Sequence, residues 1–294
     1  MADSCQGLDV GFMGLGYAKV AVLGVVQGIT ELLPISSTAH MRVVPALLGW
    51  PDPGAAFSAT MQAAALVAVV SYFWRDIAAI CGGSVRAVAS GRWYDPDLRL
   101  GLLVILATIP IGIAGLLLAP LLNACNSPLR TLPAVGVACL VMAALLALAE
   151  ILARHRRRVE NATIVDALLV GLAQVGALIP GVSRSGSTLT AGLALGFRRE
   201  EAARLSFLLG TPAIALAGLK EIWELHKAHL PAHGWAILGV GLAVAAVSSF
   251  AAIWGLMRFL ERFSTWPFII YRALLGALIL GGVAAGWFAA ASAG

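Results

Sequence analysis

Six apolar runs, each long enough to cross a lipid bilayer, constrain this chain more than anything else in it. They fall at residues 55–74, 100–120, 132–153, 205–223, 234–257 and 268–288. About 20 residues at 1.5 Å each is what the hydrocarbon core requires of a helix. None of the runs alternates with the period of two that a membrane barrel strand shows, so the chain is expected to be all-α and polytopic, with six transmembrane helices. A water-soluble fold is excluded, because at 60% hydrophobic and 12% charged no single core could hide so much apolar surface. The N-terminus lacks the charged start and small-residue cleavage site of a removable leader and is read as retained. Cys5, Cys81, Cys125 and Cys139 have no metal-ligand spacing and read as small apolar side chains. His226, His229 and His233 share a short loop without carboxylate or cysteine support and are not assigned a metal.

Two further segments, residues 17–50 and 164–197, are apolar runs broken by proline and hydroxyl residues. The first contains "GVVQGITELLPISSTAH" and the second "GLAQVGALIPGVSRSGST". Each has a glutamine three residues after a glycine, then an apolar turn, a proline and small polar residues. Each is followed by one apolar span ending in tryptophan, so the single membrane domain, residues 1–294, reads as a duplication of 1–156 and 157–294.

Arginine placement decides how the broken segments sit. The net charge of +5 does not point to nucleic acid, because the basic residues lie in short loops between spans. If each segment dips in and returns, four arginines in 75–99, four in 154–158, three in 198–204 and two in 258–262 share one face. That is thirteen of the twenty basic residues. Single crossings would divide the same arginines eight against five. The positive-inside rule therefore favours two re-entrant helical hairpins, with both termini outside. Three spans per half give the halves opposite orientation, and the hairpin tips are expected to meet near the midplane as an inverted-topology repeat.

The tips carry the chemistry. Pro34 and Pro180 end the first half-helix of each hairpin, and a serine then caps the next, Ser36 or Ser37 in the first and the Ser183 region in the second. Two helix N-termini facing one cavity favour an anion. Arg184 at that depth costs at least ~2.5 kcal/mol unless it is paired, and its fork fits phosphate oxygens. Gln27 and Glu31, four apart, share a helix face. A carboxylate beside phosphate implies a divalent cation or proton transfer; the plainer alternative is that Glu31 and Arg184 only neutralise each other. His40, one turn after Ser37, is expected within reach of that hydroxyl as its base. Arg42 and Arg272 read as snorkelling or headgroup contacts.

"GVVQGITELLPISSTAH" and "PGVSRSGST" resemble the two signature regions of the bacterial undecaprenyl-diphosphate phosphatase family, associated with bacitracin resistance. The resemblance extends through nearly the whole chain, including "LSFLLGTPA". It implies hydrolysis of the C55 isoprenoid diphosphate to its monophosphate in the bacterial inner membrane, dependent on a divalent cation such as Mg²⁺ or Ca²⁺. On that pattern Glu31, Ser37, His40 and Arg184 are the catalytic candidates, and Gln27, Ser36, Thr38, Ser183, Ser185 and Thr188 the substrate and phosphate contacts. Glu31 would also hold the metal. Many relatives have glutamate at position 27, so Gln27 leaves Glu31 as the essential acid. A competing lipid-phosphatase pattern, Pro-Ser-Gly-His, lacks its other motifs here. The competing class is a flippase for phosphorylated polyprenyl lipid, and whether Ser37 or a metal-activated water attacks stays open. The expected partners are the lipid substrate and the bilayer, with no nucleic acid; a homodimer is compatible with such a chain.

Overall fold

The computed structural model describes residues 10–122 and 128–287. Cys5, Cys125 and both chain ends lie outside the described residues. Helices form eleven elements: α1 (Gly16–Leu32), α2 (Ser37–Leu47), α3 (Ala55–Tyr72), α4 (Trp74–Ala89), α5 (Pro96–Leu122), α6 (Leu132–Leu152), α7 (Ile164–Val175), α8 (Arg184–Ala194), α9 (Arg199–Lys227), α10 (Ala232–Leu260) and α11 (Trp266–Ala284). No strand occurs among the described residues beyond an isolated bridge between Arg157 and Phe197.

Five helices, α5, α6, α9, α10 and α11, are long and apolar enough to cross a membrane, and α3 with α4 brings the count to as many as six. α3 stops at Phe73 and the chain bends by 79° into α4. α4 lies where the sequence reads as an arginine-rich loop. It is amphipathic rather than uniformly apolar: Trp74, Cys81, Val85 and Val88 form an exposed stripe at helical spacing, while Gly83 and Ala87 are buried. With Arg75 and Arg86 beside that stripe, α4 has the composition of a helix that lies along a membrane surface.

The helices pair between the two halves of the chain: α1 runs along α10, α7 along α5, α3 against α9 and α6 against α11. Small residues permit the close approach, as lipid-facing helices require. Gly24 sits so near α10 that an added methyl would come within 2.8 Å of the Gly241 carbonyl. The Ser249 hydroxyl donates to the Gly28 carbonyl at 3.1 Å. At α6 and α11 the same closeness comes from Gly136 and Gly276, where a methyl on the latter would lie 2.9 Å from the Gly136 oxygen.

The arginine-rich loops also brace the bundle. Arg199 donates two bonds to Glu150, at 2.8 and 2.5 Å, and Thr265 donates to the same carboxylate at 2.9 Å. Arg204 joins Asp76 at 2.5 Å and Glu160 at 3.4 Å, and Arg157 pairs with Asp166 at the start of α7. The ion pairs of these loops thus tie α4, α6, α7 and α9 together at one end.

Candidate active site

Each broken segment turns through a strained serine. α1 ends at Leu32, Pro34 follows, and Ser36 takes φ 73° before α2; in the second segment Pro180 and Gly181 lead to Ser183 at φ 70° before α8. Left-handed backbone costs a residue with a side chain about 1–2 kcal/mol. Both serines offset part of that cost as N-caps: Ser36 Oγ accepts from Ala39 N at 3.4 Å and Ser183 Oγ from Gly186 N at 3.1 Å. The cap of the first tip is therefore Ser36, which leaves Ser37 as the first helical residue with its hydroxyl free for other work. Arg184 holds the matching first position of α8.

The two tips meet at Glu31. Its Oε2 accepts from Gln27 Nε2 at 2.9 Å and from Ser37 Oγ at 2.7 Å, while Arg184 Nη2 approaches Oε1 at 3.4 Å. Ser185 Oγ donates to the backbone carbonyls of Glu31 and Leu33, at 3.2 and 3.0 Å. Gln27, Glu31, Ser37 and Thr38 line a cavity of about 220 Å³, with Pro180 of the second tip on its wall. Thr188 turns away: it donates to the Arg184 carbonyl at 2.7 Å and bonds Ser206 of α9 at 2.5 Å, so it braces the helix that carries Arg184. Ser36 and Ser183 are committed to capping.

His40 departs from expectation. Its ring does not bond Ser37. Nδ1 meets the Ser36 carbonyl at 2.7 Å, so it carries the proton there, and Nε2 is left to accept from the Tyr271 hydroxyl at 2.6 Å. The ring also stacks parallel to Tyr271 at 5.6 Å. A helical side chain points back toward the N-terminus, so Nδ1 reaches the carbonyl four residues earlier, and with Nε2 taken by Tyr271 neither ring nitrogen is left for Ser37. His40 thus anchors the first tip to α11, and the group facing the Ser37 proton is Glu31.

Arg272 is the second correction. It neither snorkels nor reaches a headgroup: it is fully buried and has no carboxylate partner among the described residues. Its guanidinium donates to Pro34 O at 3.2 Å, Gly181 O at 2.6 Å, Val182 O at 2.5 Å and Cys139 O at 3.3 Å. One side chain therefore satisfies carbonyls that both broken helices leave without intrahelical partners, and it holds the tips together. An ionisable residue inside an apolar span carries functional weight by its cost alone, which is the signal that could have found it. Arg42 also lines the cavity, one turn beyond Thr38, and donates to the Arg130 carbonyl. With Arg184 and Arg272 against the single carboxylate of Glu31, the tips favour an anion.

The donor set also fits a divalent cation. Gln27 Oε1 is buried with no hydrogen-bond partner, next to the Glu31 carboxylate, and hard cations take carboxylate and amide oxygens together with substrate phosphate and water. No group of three or more His, Cys, Asp or Glu side chains suited to a metal occurs among the described residues, so most ligands would come from substrate and solvent.

These features define a class: a helical membrane protein with an acid, a hydroxyl and a guanidinium gathered where two broken helix pairs meet. The family described as bacitracin resistance protein BacA matches residues 20–278, and the chain belongs to it. Undecaprenyl-diphosphatase 2 of Mesorhizobium japonicum is 67% identical over 263 residues, covering 90% of this chain and 100% of that relative. Undecaprenyl-diphosphatases of Trichormus variabilis and Gloeobacter violaceus are each 51% identical, over 94% and 92% of this chain and 87% and 93% of their own lengths.

Proposed function

We propose that this protein hydrolyses undecaprenyl diphosphate to undecaprenyl phosphate and inorganic phosphate, returning the lipid carrier to cell-wall synthesis and lending resistance to bacitracin. The observation that carries the reading is the Glu31 carboxylate, held between the Ser37 hydroxyl and the Arg184 guanidinium from the opposite tip.

In the proposed reaction Ser37 Oγ attacks the terminal phosphorus and passes its proton to Glu31. The bond to the bridging oxygen breaks, and prenyl monophosphate leaves with the proton that Glu31 returns. Water then attacks the phosphoserine, releasing inorganic phosphate and restoring the Ser37 hydroxyl through the same carboxylate. Arg184 and the N–H groups at the start of α8 stabilise charge on the phosphoryl oxygens, and little else is asked of the protein in phosphoryl transfer. Glu31 and Gln27 Oε1 would hold a Mg²⁺ or Ca²⁺ ion, which when bound neutralises phosphate charge. His40, with Tyr271, keeps the first tip in place.

The same reading places the protein in the inner membrane. The cavity rim includes Asp52 and Arg130, from the ends of α3 and α6 opposite the arginine-rich loops, so the positive-inside rule opens the site to the non-cytoplasmic face. Re-entrant hairpins in an inverted repeat, residues 1–156 and 157–294, belong to this proposal. The paired serine caps and the pairing of helices between halves support it.

Pairing of that kind also suits a transporter, and one experiment separates the two. Protein in liposomes supplied with long-chain prenyl diphosphate and Mg²⁺ should release phosphate and leave prenyl monophosphate, with chelator suppressing the yield. Intact diphosphate crossing the bilayer while no phosphate appears would refute the phosphatase reading.

A further inference from the structure

Arg42 lines the cavity that holds Glu31 and Ser37, yet the proposed reaction leaves it idle. It lies one turn beyond Thr38 on α2, and helical side chains lean toward the N-terminus, which carries its guanidinium back toward the tip. Among the described residues its one hydrogen bond runs from Nη1 to the Arg130 carbonyl, and it forms no ion pair. Asp52, the carboxylate on the same rim, accepts instead from Gly54 N at 2.8 Å. Nε and Nη2 of Arg42 therefore keep unused N–H donors, and neither atom is fully enclosed by protein. A guanidinium in that state beside a phosphate site matches a second anionic group. There is room for one: the cavity of about 220 Å³ holds many times the ~15 Å³ that a single water needs.

We propose that Arg42 binds the phosphate that stays on the lipid. The prenyl tail keeps to the bilayer, so the diphosphate enters head first. The terminal phosphate reaches Glu31, Ser37 and Arg184, and the ester-linked phosphate stops nearer the rim, beside Arg42. When the bridging oxygen parts from the terminal phosphorus, its electron pair stays with the ester-linked phosphate, and a forked cation there favours both binding and departure. A lipid monophosphate cannot occupy both positions at once, so Arg42 also makes the cavity selective for a diphosphate. The assignment rests on the phosphatase reading for its substrate.

The test compares purified full-length wild type, Arg42→Gln and Arg42→Lys in detergent free of phospholipid. Arg42→Gln should lower kcat/KM for long-chain prenyl diphosphate by about 10- to 100-fold, the range for losing a charged hydrogen bond. It should weaken inhibition by prenyl monophosphate by a similar factor and leave the Ki of inorganic phosphate as in the wild type. Arg42→Lys, which keeps the charge and a donor for the Arg130 carbonyl, should recover part of the rate and the full Tm. If Arg42→Gln does not fold, the same comparison is read in Arg42→Lys as a smaller shift confined to the monophosphate Ki. Equal weakening of both Ki values would place Arg42 on the transferred phosphate and overturn the proposal. So would a Tm that falls with the rate in both variants, the mark of an arginine that only ties α2 to Arg130. Normal kcat/KM in detergent with impairment confined to phospholipid liposomes would assign Arg42 to a bilayer headgroup and overturn it too. If the wild type released no phosphate, the phosphatase reading would fail by itself. The Arg42 site would then stand only if prenyl monophosphate raised the Tm of the wild type and not of Arg42→Gln, and would fall otherwise.

Discussion

Arg184→Lys should leave a folded protein whose turnover of prenyl diphosphate is lower by about 10²- to 10³-fold, the loss typical of removing a preorganised donor from an oxyanion site. Lysine keeps the positive charge beside Glu31, so the buried pair is not left half empty; that would be the larger danger to folding, since both partners are about nine-tenths buried. Lysine cannot reproduce the fork. One guanidinium nitrogen is turned to Glu31 and another stands free, and a point charge at the end of a flexible stem cannot hold both directions. Steady-state phosphate release together with a Tm measurement checks this. Near-normal turnover in the lysine variant would reduce Arg184 to a counter-ion for Glu31.

The second large effect separates two adjacent serines that the sequence alone cannot rank. Ser37→Ala should abolish turnover with little change in stability, because its hydroxyl faces Glu31 at 2.7 Å and serves no cap. Ser36→Ala should do nearly the reverse. It removes the N-cap of α2 at a left-handed residue, costing about 0.5–2 kcal/mol of stability, and leaves a measurable rate. Assays at saturating substrate with parallel unfolding curves decide the matter. Substantial residual turnover in Ser37→Ala would exclude the serine as nucleophile and point to attack by water.

Much of this was legible in the sequence for physical reasons that can be named. A run of twenty apolar residues has few alternatives to a spanning helix, and five of the expected runs reappear within a few residues of their expected limits. Pro34 and Pro180 mark breaks, because a proline removes a helical hydrogen bond and clashes with the preceding turn, and the hydroxyls just after them supply the caps of new helices, whereas Pro45 and Pro212, without such followers, stay inside α2 and α9. α4 was missed because its apolar residues recur at helical spacing among arginines instead of forming a run. The direction of His40 depends on Tyr271, which is 231 residues away in sequence, and no local spacing carries that information. Arg272 was misread for a similar reason: its partners are backbone carbonyls from three separate segments, and carbonyls leave no mark in a sequence.

The central claim is that hydrolysis depends on one carboxylate held where the two tips meet. Its most direct test is phosphate release from long-chain prenyl diphosphate by purified protein with Mg²⁺, comparing the wild type with Glu31→Gln. Glutamine preserves the shape of the side chain and can still meet Ser37, but it can neither take a proton nor pair with Arg184. The wild type should release one inorganic phosphate for each prenyl monophosphate formed, and Glu31→Gln should release none above background while remaining folded. Comparable release by the two proteins would contradict the account.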